Sequence, residues 1–231
     1  GGRPILWHIM NLYSRHGIKD FAICLGYKAE YIKKFFLDYS STLSDFTVNL
    51  GNQEVEIHKQ RTEDWKITLI DTGLHTQTGG RIKRALEFLS NQETFCLTYG
   101  DGLSDIDISK SIDFHNTHGK LATLAAVHSP GRFGMLDISQ NNLIMNFIEK
   151  PKGDGVRING GFFVLSPKVL DRIKSSNTIW EKEPLESLAN DNELMAFVHD
   201  GFWQPMDTLR DKIHLNDLWN NDKAPWKIWK D

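Results

Sequence analysis

With 231 residues, a formal net charge of -3 and 25% charged residues, the chain has the size and balance of a globular protein with a sizeable core. Its slightly acidic charge, with no run of five basic residues, argues against a general nucleic-acid surface. Hydrophobic residues make up 40%, yet no uncharged stretch approaches the roughly 20 residues of a membrane span, so no membrane partner is expected. Cys24 and Cys96 are the two cysteines, each inside an apolar run, which predicts two reduced, buried thiols in a cytoplasmic protein.

The chain opens on Gly1-Gly2-Arg3-Pro4 and passes directly into a helical pattern rather than a signal peptide. Ile5, Leu6, Ile9, Leu12 and Tyr13 recur at helical spacing, Pro4 suits the first turn, and Gly17 can end the helix. A strand over Phe21 to Gly26 and a helix from about Lys28 to Leu37 follow. In a protein that alternates strand and helix, a leading helix without its strand points to a missing upstream strand. Phe46 to Leu50 and Glu54 to His58 flank Gly51-Asn52 as a hairpin, and Lys66 to Ile70 is a further strand. Gly79-Gly80 open a helix through Leu89 with Ile82, Ala85, Leu86 and Leu89 inward. Thr94 to Tyr99 is a buried strand, Ile108 to His118 a helix, and Leu121 to Val127 a strand. Met135 to Ile138 and Leu143 to Ile148 flank Asn141-Asn142 as a second hairpin. Gly161 to Leu165 is a strand after Asn159-Gly160, and the remainder is expected to be mostly helical, with Leu209, Ile213 and Leu218 as the inner face of the last helix. In outline this is an α/β doubly wound sheet without repeat or interdomain linker.

Four loops carry chemistry. Gly100-Asp101-Gly102 puts one carboxylate at the C-terminal end of a buried strand, where open α/β sheets place their ligands. An aspartate between glycines meets an anionic group well only if a cation bridges the two. Asp207, in Trp203-Gln204-Pro205-Met206-Asp207-Thr208, is the natural second carboxylate, since Mg²⁺ takes one or two carboxylates plus phosphate oxygens and water. The plain alternative is that Asp207 caps the following helix, a role worth about 1 kcal/mol. Glu149-Lys150-Pro151 offers a cation for a phosphate and an acceptor for sugar hydroxyls, or simply an exposed ion pair in a turn. Thr76-Gln77-Thr78-Gly79-Gly80-Arg81 gathers hydroxyls, glycine amides and a guanidinium at a helix start, suited to an anion or a base edge. Its alternative is a capped helix with Arg81 in solvent. His115 and His118 are spaced to bind metal, but no cysteine or third histidine lies nearby, so no zinc site is expected. Neither cysteine has the signature of a catalytic thiol, and no Gly-x-Ser-x-Gly elbow supports a serine hydrolase. Trp219, Trp226 and Trp229 read as packing or contact surface.

Pro4-Ile5-Leu6-Trp7-His8-Ile9-Met10, Asp71-Thr72-Gly73, Thr78-Gly79-Gly80-Arg81, Tyr99-Gly100-Asp101-Gly102, Pro130-Gly131-Arg132-Phe133-Gly134, Glu149 through Gly155, Asn159-Gly160-Gly161-Phe162-Phe163 and Gly201 through Thr208 occur in that order. Taken together they resemble the glucose-1-phosphate cytidylyltransferases of the sugar-nucleotidyltransferase superfamily, over essentially the whole chain. The resemblance implies one domain over residues 1–231. Its fold would be Rossmann-like, a mixed, mostly parallel sheet with β-hairpin insertions. It implies formation of CDP-glucose and pyrophosphate from CTP and α-D-glucose 1-phosphate with Mg²⁺. It further implies that Asp101 and Asp207 hold the metal and that Glu149, Lys150, Asn159 and Gly160 contact the sugar phosphate, with Lys150 counted among the catalytic groups. Thr78, Gly79, Gly80, Arg81 and Gly100 would serve the nucleotide. The product would feed dideoxysugar synthesis for bacterial O-antigen polysaccharide, and the family assembles as homo-oligomers, with a hexamer expected. The family's opening strand, glycine-rich loop and Lys-Pro-Lys-Pro segment would lie upstream of Gly1. Two other classes stay open on the residues alone: a metal-dependent glycosyltransferase, and a catalytically silent nucleotide-binding scaffold.

Overall fold

The computed structural model describes residues 1–59, 62–88, 93–129, 135–139, 143–148 and 157–229, with the backbone alone at 135–138 and 146–148. In chain order the elements are α1 (Ile5–Arg15), β1 (Asp20–Leu25), α2 (Ala29–Leu37), α3 (Tyr39–Leu43), β2 (Asp45–Asn49), β3 (Glu54–Lys59), β4 (Lys66–Asp71) and α4 (Thr78–Ala85). These are followed by β5 (Phe95–Thr98), β6 (Gly102–Ser104), α5 (Ile108–His118), β7 (Ala122–His128), β8 (Met135–Ile138), β9 (Ile144–Ile148) and β10 (Arg157–Leu165). The chain then forms α6 (Glu183–Asn190), β11 (Leu194–His199), β12 (Trp203–Pro205) and α7 (Leu209–Asn220). Short 3-10 turns lie at Leu86–Phe88 and Pro167–Arg172.

The chain divides into two compact units: Gly1–Ile18 with Gln92–Val169 and Leu185–Asp231, and Lys19–Asn91 with Leu170–Pro184. In the larger unit a four-stranded sheet has the order β11-β7-β10-β5. β11 runs parallel to β7, while β10 is antiparallel to both β7 and β5, so three strands share one direction and β10 alone opposes them. The expected α/β class, with a mixed, mostly parallel sheet, is what forms. β6 and β12 make a separate antiparallel pair, and β8 and β9 a hairpin. In the smaller unit β1 and β4 pair in parallel, and β2 with β3 forms the expected hairpin.

The apolar pattern explains most of this. α1 is buried on every side from Trp7 to Tyr13, not on one face as its spacing implied. The surplus burial comes from the C-terminal tryptophans, since Trp219 and Trp229 stack edge-on against Trp7, and Trp226 donates its Nε1 proton to His8 Nδ1. Burial pushes the His8 pKa down to about 4, so the ring stays neutral and can accept that bond. Each large side chain fully enclosed here, such as Trp226 and Leu12, contributes about 1.5–3 kcal/mol. α5 falls on the expected residues because Asp107 caps it by accepting from the Lys110 amide and Gly119, at φ 64°, ends it.

Three expectations change. The C-terminal stretch is not mostly helical: it also holds the strands β11 and β12. α7 packs through Leu215, whereas Leu209 and Ile213 are exposed and Leu218 is half-buried. At about 100° per residue Leu218 falls opposite Leu209, so the three apolar positions do not share one stripe, and Leu215 is the residue turned inward. The helix opened by Gly79-Gly80 leaves the α form after Ala85, and Leu89 lies outside the described residues.

Candidate functional site

Asp101 and Asp207 are brought together by the β6–β12 ladder. Trp203 pairs with Ser104, Gln204 with Leu103 and Pro205 with Gly102. One step further along, the Met206 amide donates to the Asp101 carbonyl at 2.7 Å, so the next residue, Asp207, emerges beside Asp101. Both residues are exposed, yet the protein crowded around Asp101 raises its pKa, and the neighbouring charge of Asp207 raises it further. Two carboxylates this close repel, and a cation between them would relieve that repulsion. Asp207 is not the helix cap. Thr208 takes that role, its hydroxyl accepting from the Asp211 amide while Asp211 accepts from the Thr208 amide, a reciprocal capping box. The donor set is all hard oxygen, and two carboxylates suit Mg²⁺ completed by phosphate oxygens and water. Among the described residues no three His, Cys, Asp or Glu side chains gather for a tighter metal cage.

Beside this pair lies a bulge in β10. The register with β7 shifts between Asn159 and Phe163. Gly161 there has φ 75°, a conformation that disfavours side chains, and an added Cβ would lie 2.6 Å from the Tyr99 ring. Asn159 stitches the bulge: its Oδ1 accepts the Gly161 amide at 2.8 Å and its Nδ2 donates to the Tyr99 hydroxyl at 3.4 Å. The Gly160 carbonyl accepts the Trp203 indole proton at 2.7 Å, and Tyr99 N–H donates to the Gly161 carbonyl. Asn159, Gly160, Gly100, Asp101 and the segment that leads from β12 to Asp207 therefore form one neighbourhood within the larger unit. Gly100 is its open point, with no described atom within 4 Å of where a Cβ would project. Tyr99 and Trp203 were not singled out from the sequence as site residues, although each sits within a quoted motif.

Thr78, Gly79, Gly80 and Arg81 belong to the smaller unit and have a different character. The Gly79 amide donates to the Thr178 carbonyl at 3.0 Å and the Gln77 amide to the Ser176 carbonyl at 2.9 Å. An added Cβ on Gly79 would lie 2.8 Å from the Thr178 carbonyl oxygen, and one on Gly80 2.5 Å from that of Ser176. The Thr78 hydroxyl donates to Glu181 and accepts the Trp180 amide. Arg81 is not in solvent: its guanidinium donates to the Leu25 carbonyl, the Thr72 hydroxyl and the Leu74 carbonyl. It lies flat against Gly26, where a Cβ would meet both terminal nitrogens at 2.6 Å. The segment thus braces the C-terminal ends of β1 and β4.

Glu149, Lys150, Pro151 and the Pro130–Gly134 motif lie outside the described residues. His115 Nδ1 and His118 Nε2 both bond the Thr123 hydroxyl, at 2.9 and 2.7 Å, which explains their spacing without a metal. Both cysteines are free and half-buried. Burial pushes Cys96 up to about 12 and also raises Cys24, so neither is a ready thiolate.

Residues 1–221 match the family model described as nucleotidyl transferase. The chain is 57% identical to the glucose-1-phosphate cytidylyltransferase of Salmonella typhi over all of its own length and 89% of that protein's. It is 56% identical, with the same coverage, to the enzyme of that name from Salmonella typhimurium. Among solved structures, HddC from Yersinia pseudotuberculosis complexed with GMP-PN is similar in fold, with a TM-score of 0.66 and 20% identity over 94% of this chain and 86% of that one.

Proposed function

Given that this chain belongs to the nucleotidyl transferase family, we propose that it transfers a cytidylyl group from CTP to α-D-glucose 1-phosphate, releasing CDP-glucose and pyrophosphate. The observation that carries the base and the sugar is 57% identity along the entire chain to a cytidylyltransferase acting, by its name, on glucose 1-phosphate. The observation that carries the chemistry is the Asp101/Asp207 pair at the mouth of the β6–β12 ladder.

In the reaction an oxygen of the sugar phosphate bonds to the α-phosphorus of CTP as the bond from that phosphorus to the pyrophosphate oxygen breaks. A phosphate monoester is already largely anionic near neutral pH, so no general base is needed and positioning with charge neutralisation does the work. A Mg²⁺ held by Asp101 and Asp207 would supply that neutralisation when bound. Gly100 leaves room for a phosphate to approach the backbone, and the Asn159-Gly160 bulge orients the sugar phosphate with Glu149 and Lys150. Arg81, braced against Leu25, Thr72 and Leu74, sets the shape of the segment that receives the nucleotide. On the same reading the enzyme is cytoplasmic, assembles as a homo-oligomer, with a hexamer the expected form, and serves O-antigen dideoxysugar synthesis. None of the described helices is long and apolar enough to cross a membrane.

The test is product analysis. Protein, Mg²⁺, glucose 1-phosphate and each of CTP, UTP, dTTP and GTP are incubated, and sugar nucleotides are resolved by ion-exchange chromatography. CDP-glucose with equimolar pyrophosphate from CTP is expected. Preference for another nucleotide, or release of free nucleotide diphosphate, contradicts the reading.

A further inference from the structure

Three side chains behind the acidic pair converge on a single backbone residue. The Phe202 amide donates to Asp105 Oδ1 at 2.7 Å, the Asp105 amide donates to the Phe202 carbonyl at 3.2 Å, and the Ser104 hydroxyl donates to that same carbonyl at 2.8 Å. His199 Nε2 lies 3.0 Å from Asp105 Oδ1 and 3.2 Å from the Phe202 carbonyl oxygen. It also lies 3.2 Å from the Ser104 hydroxyl; the carboxylate and the carbonyl are pure acceptors, so Nε2 carries a proton and donates. The ring is close to Gly201, where a Cβ would meet Asp105 Oδ1 and lie 2.6 Å from His199 Cε1. Ser104 is fully buried. This cluster differs from a serine nucleophile with its base, because the Ser104 hydroxyl is committed to the Phe202 carbonyl and accepts from the Ile106 amide, and because one histidine nitrogen faces all the partners.

Its place in the chain gives it a purpose. Phe202 immediately precedes β12, and Ser104 ends β6. The ladder they anchor is three pairs long and contains Pro205, which has no amide proton. So short a ladder sets its own register weakly, and a slip of one residue would turn every side chain to the opposite face. Asp101 and Asp207 lie just past the other end. We propose that Asp105 and His199, closing over Gly201, are positioning residues that lock the β6–β12 register and thereby hold the Asp101 and Asp207 carboxylates at metal-binding separation. The proposal rests on the reading of those two aspartates as metal ligands.

The test measures metal binding apart from turnover. Mn²⁺ affinity of the whole protein is read by EPR of the free ion, alongside melting temperature and the Mg²⁺ concentration that gives half-maximal turnover. Outer partners of metal sites typically govern affinity by about 10- to 100-fold. Asp105→Ala and His199→Gln should each weaken Mn²⁺ binding by about tenfold and raise the Mg²⁺ requirement in parallel. Asp105→Asn, which keeps an acceptor for the Phe202 amide, should recover most of the loss. Leu188→Ala, a fully buried truncation elsewhere in the larger unit, should lower the melting temperature while leaving Mn²⁺ affinity unchanged. Unchanged affinity in a folded His199→Gln protein overturns the proposal, whether or not Asp105→Ala folds, as does an equal loss in Leu188→Ala. Asp101→Asn separates the two levels. If it binds Mn²⁺ as well as wild type, the metal reading itself fails and this proposal with it; if it alone loses Mn²⁺, only the positioning role falls.

Discussion

Two glycine-bearing segments of this chain resemble each other in sequence and differ in what their glycines are for. At Gly100 the space beyond the Cα is empty to 4 Å among the described residues, and the adjoining carboxylate is exposed. At Gly79 and Gly80 the same space is filled by the backbone of Ser176 and Thr178. The first glycine leaves room for something from outside the chain; the other two let the chain approach itself. The polar groups follow suit, since Asp101 meets a like charge, whereas Arg81 and Thr78 are bonded to groups of their own unit. A glycine-rich motif therefore names a close approach, and only the surroundings say whether the approaching atoms are ligand or protein.

The comparison predicts the following responses. Asp101→Asn and Asp207→Asn should each lower turnover by about a hundredfold or more, the scale of losing a key electrostatic group, with melting temperature preserved. Near-normal pyrophosphate release by either variant removes that residue from the site. Gly80→Ala should act on folding, because a backbone must shift to admit the methyl group. A loss of about 1–3 kcal/mol is expected in urea denaturation, and an unchanged midpoint would mean the Ser176 contact yields freely. Arg81→Ala removes the guanidinium bonds to the Leu25 and Leu74 carbonyls and the Thr72 hydroxyl, while the Leu25 carbonyl keeps the Thr72 amide and hydroxyl, so it should cost about 1 kcal/mol and raise the KM for CTP more than that for glucose 1-phosphate. A KM effect with no stability change would place Arg81 on the ligand side of the comparison. The smallest stability effect belongs to Gly100→Ala, within about 0.5 kcal/mol of wild type, while the KM for CTP rises severalfold. Equal destabilisation by the Gly100 and Gly80 variants would erase the distinction.

The sequence revealed what local pattern can reveal. α5 was legible to its ends because Asp107 and Gly119 are strong cap residues, and both hairpins were legible from their turn residues and alternating strands. Asp101 was legible as a carboxylate at a strand end. β6 was missed because three residues carry no period, and β12 because Pro205 argues against a strand. β11 was missed because Leu194, Met195 and Ala196 favour helix; parallel pairing to β7 overrides that propensity. Asp207 looked like an N-cap because it stands directly before the actual one, the Thr208–Asp211 box, whose spacing of three is itself visible. What brings Asp207 to Asp101 is a pairing across a hundred residues, which no local window contains. The embrace of Gly79 and Gly80 by residues near 176–178 is hidden for the same reason.

The central claim is that Asp101 and Asp207 jointly hold the cation that neutralises the nucleotide phosphates. A crystal structure of the protein with Mg²⁺ and CTP or CDP-glucose tests it most directly. The account predicts one Mg²⁺ with a carboxylate oxygen of each aspartate at about 2.0–2.1 Å and phosphate oxygens completing the shell. A nucleotide-bound Mg²⁺ that neither carboxylate reaches would contradict it.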